Sequence, residues 1–127
     1  MIANIEQEFA QITDYWSPRV VADVNDQCVK LAKLKGEFVW HDHANEDELF
    51  FVYKGSLTIR YRDRDDVVLS AGEMYVVPKG VEHNPLAGDE CWVILFEPSE
   101  TKHTGDVVVA GTKSLAEQRA HQGSASA

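Results

Sequence analysis

Residues 36–55 read Gly-Glu-Phe-Val-Trp-His-Asp-His-Ala-Asn-Glu-Asp-Glu-Leu-Phe-Phe-Val-Tyr-Lys-Gly. In an extended chain Glu48, Phe50 and Val52 share one side, and Leu49, Phe51 and Tyr53 share the other. Both sides are apolar, so a strand here must be covered on both faces. Upstream, His41 and His43 stand two apart and point the same way only if that segment is extended. On a helix they would diverge by about 200°. The polar stretch Ala44–Asp47 then reads as a turn that returns Glu48 opposite the two histidines. This is the reading of a β-hairpin.

Working outward, short apolar runs separated by turn residues recur along the chain, the signature of an all-β domain. The expected strands are Val20–Val24, Cys28–Lys35, Glu37–His41, Glu48–Lys54, Ser56–Arg62, Val67–Leu69, Met74–Val77, Cys91–Phe96 and Val107–Ala110. Turns are expected at Asn25-Asp26, Asp42–Asp47, Asp63–Asp66, Ala71-Gly72, Lys79-Gly80 and Ala87–Glu90. Asp63-Arg64-Asp65-Asp66 lacks the glycine and distal glutamate of a calcium loop and reads as a solvated hairpin tip. Before the strands, Ile2, Ile5, Phe9, Ile12 and Trp16 recur at helical spacing up to Ser17-Pro18, where proline disfavours further helix. That stripe is expected to pack on the domain or on a second subunit. The outward set Leu49, Phe51 and Tyr53 likewise points to a homodimer.

A chain of 127 residues suffices for one domain with a core of its own. Its net charge of −9 provides no basic stripe, which argues against a nucleic-acid partner. No run approaches the ~20 apolar residues of a membrane span, and no basic-then-apolar leader opens the chain. Cys28 and Cys91 form no CxxC and are expected to be free, buried thiols, which with the missing leader points to the cytoplasm.

The chemistry concentrates in His41, His43 and Glu48, with His83 following the Pro78-Lys79-Gly80 turn. If the fold brings His83 to the first cluster, three imidazoles and one carboxylate surround one ion. Such mixed ligands suit divalent iron, manganese, nickel, zinc or copper. Glu46 and Asp47 compete with Glu48, but only Glu48 opens the apolar strand. His103 reads as a surface or intersubunit histidine, and His121 lies in an Ala/Gln/Ser-rich tail.

These residues resemble the two motifs of a small single-domain cupin. The first family motif is Gly, five residues, His-x-His, three or four residues, Glu, six residues, Gly; Gly36, His41, His43, Glu48 and Gly55 follow it. The second runs Gly, five residues, Pro-x-Gly, two residues, His, three residues, Asn; Gly72, Pro78, Gly80 and His83 follow that. Two departures stand out. Four residues rather than five separate Gly36 from His41, and Ala87 occupies the pattern's asparagine position while Asn84 directly follows His83.

The resemblance implies an all-β cupin β-barrel of the double-stranded β-helix or jelly-roll type, with a short N-terminal amphipathic helix. The whole of 1–127 is then one domain: an N-terminal helix or arm at 1–17, the barrel at 20–110 and a C-terminal tail at 113–127. Its implied ligands are His41, His43, Glu48 and His83 around one divalent transition metal ion. Parity with His41 places Glu37 and Val39 on the cavity wall with Phe50, Val52, Tyr75 and Val77. Tyr75 and Glu37 are the candidates for proton transfer.

With no serine triad, activated nucleophile or phosphate loop in view, catalysis would rest on the ion. The expected function is a metal-dependent enzyme acting on a small organic acid or enolic substrate, of dioxygenase, isomerase or lyase type. A non-catalytic small-molecule binding or sensing protein is the alternative, and an ion that only ties strands together is a third reading. Cupin lyases of dimethylsulfoniopropionate carry tyrosine two residues after the glutamate, where this chain has Phe50.

Overall fold

The computed structural model describes residues 2–101 and 115–119. Seven strands follow one short helix: α1 (Ile5–Ala10), β1 (Arg19–Val24), β2 (Gln27–Glu37), β3 (Glu48–Lys54), β4 (Ser56–Tyr61), β5 (Val67–Ser70), β6 (Met74–Val77) and β7 (His83–Pro98), with a turn of helix, α2 (Leu115–Gln118), after them. Every strand pairing is antiparallel. The sheet runs β1-β2-β7-β3-β6, while β4 joins β5 to the first part of β7.

The long strand β7 makes this a barrel-like sheet rather than a flat one. Its start, His83–Leu86, pairs with β4, and its end pairs with both β2 and β3. Between them Gly88, Asp89 and Glu90 face only Lys35 on β2, because the register slips between Leu34/Cys91 and Gly36/Ala87. A bulge bends a strand and increases its twist. The polar composition at Ala87–Glu90, expected to reverse the chain, therefore bends it inside one strand. Gly55 faces this bend at φ +87, where an added Cβ would lie 2.7 Å from the Glu90 carbonyl. Only glycine permits both that conformation and that approach.

Alternation along the strands fills the barrel. Leu34, Phe50, Val52, Leu57, Ile59 and Val93 are among the buried residues of one interior cluster. Each such side chain contributes ~1.5–3 kcal/mol relative to exposure. Phe9, Ile12, Val21 and Leu31 form a second cluster outside the barrel wall, beneath α1. There Phe9 stacks on Tyr53 and Trp92, with ring centroids 5.4 and 4.8 Å apart.

Helix α1 is shorter than the spacing of Ile2 to Trp16 implied. Asn4 caps it by accepting the Gln7 N–H, and it ends at Ala10. Ile2 is 96% exposed, outside the packed stripe. Ile12, Thr13 and Asp14 are weak helix formers, and beyond them the chain finds partners on β2. Tyr15 bridges Lys33, and the Trp16 N–H donates to the Lys33 carbonyl at 2.9 Å. Trp16 adopts φ +57, a left-handed conformation that costs a bulky residue ~1–3 kcal/mol.

Strands β3 and β6 coincide with the expected bounds, and the others expected within the described residues extend or shift by one or two residues, with two exceptions. The expected Cys91–Phe96 is the last part of β7, which begins at His83. Glu37–His41 is not a separate strand: β2 continues to Glu37, and only His41 forms an isolated bridge. The expected Val107–Ala110 strand, His103 and His121 lie outside the described residues. Cys28 and Cys91 are both free and buried.

Candidate metal centre

Backbone hydrogen bonds assemble the four ligand candidates. His41 and His83 exchange N–H···O bonds of 3.0 and 2.9 Å. The Pro78-Lys79-Gly80 turn is clipped to the loop carrying His43: Gly80 N–H donates to the His43 carbonyl at 2.8 Å, and Lys79 N–H to Asp47 Oδ1 at 2.8 Å. Glu48 opens β3 opposite Val77. Asp47 is thus engaged by the turn, and Glu46 accepts from the Asn45 N–H. The expected competitor carboxylates both point elsewhere.

His41, His43, Glu48 and His83 are all buried, and one potential ligand atom from each lies within 4.8 Å of the others. Two ligands on opposite sides of one transition metal ion, at bonds of ~2.0–2.2 Å, would be about 4.2 Å apart, so the group has the dimensions of one ion site. His41 Nδ1 and His83 Nδ1 each lie 2.9 Å from a carbonyl, of Val39 and Val81 respectively. Carbonyls only accept, so these nitrogens carry the protons and Nε2 is left with its lone pair. His43 Nε2 and His83 Nε2 are buried with no hydrogen-bond partner. Burying an unpaired polar atom costs ~1–3 kcal/mol, and a cation accepting those lone pairs would remove that cost. The donor set fits a divalent transition metal.

The electrostatics favour the same role. Burial, and then the neighbouring His83, lower the His41 pKa to about 4. Burial also lowers His83, so both imidazoles are neutral near pH 7, as ligands must be. Burial opposes the charge on His43, yet the adjacent Glu48 carboxylate, 3.5 Å from Nε2, outweighs it and raises the pKa. Burial likewise opposes the Glu48 carboxylate, but the neighbouring Glu97 and His43 hold its pKa well below the usual carboxylate range.

Glu97, on β7, is the residue that motif and spacing do not reveal. It is fully buried, and burial together with the Glu48 charge pushes its pKa well up. It therefore keeps its proton and stands as a neutral carboxyl beside Glu48. Behind it Lys30 Nζ lies 3.0 Å from Glu97 Oε1, 2.6 Å from Gln118 Oε1 and 3.1 Å from the Thr101 carbonyl. The signal available in the sequence is alternation. Lys30 and Glu97 alternate in step with the buried Cys28, Ala32 and Leu34 of β2 and Cys91, Val93 and Leu95 of β7, and a buried charge there requires a partner.

An open cavity reaches His41 and Glu48. Its walls include Trp16, Leu34, Phe38, Phe50 and Leu95. Of the residues expected on this wall, Phe50 is present. Val52 and Val77 are packed in the core away from it. Glu37 points outward, its side chain 58% exposed and paired with Arg60 at 2.8 Å. Val39 also lies off the wall. The chain leaves β2 after Glu37, so alternation cannot be counted backwards from His41, and Phe38 faces the cavity instead. The Tyr75 hydroxyl is 2.7 Å from that of Tyr61 and does not line the cavity. Asn84 is buried; it accepts from Arg60 Nε at 3.1 Å and donates to the Phe38 carbonyl. It braces the wall beside the ligands.

Comparison with known proteins agrees with this architecture. The family model for the cupin domain matches residues 29–96, and the chain belongs to the cupin family. It is similar to a cupin-2 domain containing protein from Shewanella frigidimarina, with 50% identity and a TM-score of 0.73 over 76% of this chain and 94% of that one. It is also similar to protein NMB1881 from Neisseria meningitidis, with 32% identity and a TM-score of 0.72 over 77% and 99% of the two chains. The Bacillus subtilis protein YdbB is 44% identical over 63 residues, half of this chain; the match spans 56% of that relative's length.

Proposed function

We propose that this cupin is a metal-dependent enzyme acting on a small organic acid or enolic substrate, by dioxygenase, isomerase or lyase chemistry. The observation that carries the reading is the pair of buried, unpartnered Nε2 atoms of His43 and His83, grouped with His41 and a Glu48 carboxylate that lines an open cavity. A purely structural ion is usually enclosed by its ligands, whereas an open side admits a substrate. Iron, manganese, nickel, zinc or copper suits these donors. When bound, such an ion supplies Lewis acidity and, for iron or manganese, oxygen chemistry. His41, His43, His83 and Glu48 would hold it, the neutral Glu97 carboxyl would back Glu48, and the apolar walls would exclude water from the substrate.

Metal analysis of the purified protein should find about one divalent ion per chain, lost in His41→Ala. Full occupancy in that variant would refute the site. Turnover of a small carboxylic or enolic compound by the iron- or manganese-loaded form supports the enzyme. A specific observation favours the second reading, a binding or sensing protein: among the described residues lining the cavity, no side chain outside the ligand set can exchange a proton. Tight binding without turnover across each metal form would establish it.

A homodimer is proposed on a separate observation. On the outer face of β3, Leu49 and Phe51 are half-buried beside Met74, Val76 and Phe96, which are 62%, 46% and 38% exposed. Helix α1 covers only the Tyr53 end of that face. Phe51→Glu should convert a dimer to a monomer in light scattering; a wild-type monomer would refute the pairing. A cytoplasmic location is proposed on the two free, buried thiols, and no helix among the described residues is long and apolar enough to cross a membrane.

A further inference from the structure

The cavity wall combines two unlike parts. His41 and Glu48 form one part of its lining; elsewhere that lining is hydrocarbon or aromatic. Among the described lining residues there is no arginine, lysine, hydroxyl or amide side chain to recognise a second polar group. Trp16 is the one wall residue with a polar atom outside the ligand set, and its Nε1–H is already donated to the Lys35 carbonyl at 2.9 Å. It presents only its ring.

That ring is held in place from several directions. Trp16 stacks on Phe38 at a centroid distance of 4.6 Å and an interplanar angle of 11°. Its backbone N–H is bound to β2, and its φ of +57 is the left-handed conformation. Phe38 is fixed in turn by Asn84, whose side chain donates to its carbonyl. A tryptophan kept in a disfavoured conformation by three independent contacts is a rigid element, and such strain collects where geometry serves a ligand.

Resting on the reading of a metal centre at His41, His43, Glu48 and His83, we propose that the ligand of this cavity is a molecule with one oxygen-donor end and a compact apolar or aromatic body. The Trp16–Phe38 pair is the specificity-determining wall that receives this body. Sugars, phosphate esters, diacids and amino acids are the disfavoured classes. Each would bury a second polar group against a wall that offers it no partner, and such a group costs more than it returns. An aromatic body gains both burial and ring stacking.

The test uses the full-length protein loaded with Co(II), whose visible spectrum reports coordination. It is titrated with three probes sharing one head: benzohydroxamate, acetohydroxamate and glycine hydroxamate. Benzohydroxamate should bind at least about ten-fold more tightly than acetohydroxamate, because the phenyl ring alone fills apolar surface. Glycine hydroxamate, with its ammonium group, should bind most weakly of the three. In Trp16→Ala the phenyl-to-methyl preference should fall to within about three-fold. Phe38→Ala removes the other ring of the same wall and serves if Trp16→Ala does not fold. Equal binding of the three probes to the cobalt protein would overturn the inference while leaving the metal centre intact. A preference unchanged in both variants would overturn the assignment of the wall. Failure to take up Co(II) would overturn the metal centre itself, and the inference with it.

Discussion

Two buried polar clusters meet inside this barrel, and they handle charge in opposite ways. Around Lys30, the ammonium has Glu97, Gln118 and the Thr101 carbonyl within 3.1 Å, so its donors are satisfied by the chain. Around His83, the Nε2 atoms of two buried imidazoles make no hydrogen bond and face the Glu48 carboxylate, 3.5 Å from His43 Nε2 and 3.9 Å from His83 Nε2. The first cluster contains its own cation; the second gathers three imidazoles and a carboxylate with no lysine or arginine among them. Glu97 joins them, neutral, between the Lys30 ammonium and the Glu48 carboxylate. Burial alone therefore does not distinguish a structural cluster from a binding centre. The presence of a cationic side chain within the cluster does.

The largest effect should come from breaking the Lys30 cluster. Lys30→Met strands Glu97 and the Gln118 amide in the interior, and each buried acceptor left without its donor costs about 1–3 kcal/mol. Urea denaturation of metal-free protein measures it; a loss below 1 kcal/mol would mean the cluster is solvated. The double variant Lys30→Met/Glu97→Leu should recover most of that loss, since a buried pair replaced as a unit is often neutral.

The histidine cluster should respond to an added ion instead. A divalent ion at one hundred times its dissociation constant should raise wild-type stability by about 2.7 kcal/mol, and EDTA should reverse the gain. His83→Ala should show no such gain at the same ion concentration. Equal stabilisation of both proteins would show that the ion binds elsewhere.

Glu97→Gln sharpens the boundary between the clusters. An amide is likewise neutral beside Glu48 and still accepts from Lys30, so metal-free stability should change by less than about 1 kcal/mol. A loss comparable to that of Lys30→Met would show that Glu97 carries its charge.

A further effect belongs to a buried group that lies in neither cluster. Burial raises the Cys91 pKa from 9.0 to about 11. Between those values the unfolded chain has released a proton that the folded chain retains, so the unfolded state binds fewer protons and stability falls as pH rises. Cys91→Ala should flatten that decline between pH 9 and pH 11. An unchanged slope in thermal unfolding would show that Cys91 does not contribute to it.

Much of the candidate metal centre was legible in the order of residues. His41, His43 and Glu48 lie within one short segment, and Pro78-Lys79-Gly80 marks the turn before His83. Alternation in Glu48–Lys54 set the bounds of β3 and the inward direction of Glu48. The wall of the cavity was not legible. Glu37 was placed there by counting from His41, but the chain leaves the strand between them and the parity is lost. Trp16 looked like the last turn of a helix, because its spacing matched Phe9 and Ile12, yet bonds to β2 draw it onto Phe38. Gly88, Asp89 and Glu90 have the composition of a turn; only pairing with β2 reveals them as a bulge.

By itself the sequence determined the β character, the inner and outer faces of β3 and the identity of the ligand candidates. Those depend on neighbours within a few residues, where the backbone geometry dictates which side chains share a face. The tertiary structure alone decided that Glu97 stands behind Glu48, that Lys30 compensates it, and that Trp16 rather than Glu37 walls the cavity. Those contacts join residues separated by about twenty to seventy positions in the chain. Local pattern carries no information about such pairs, because their energies arise only once β7 bends and brings the strands together.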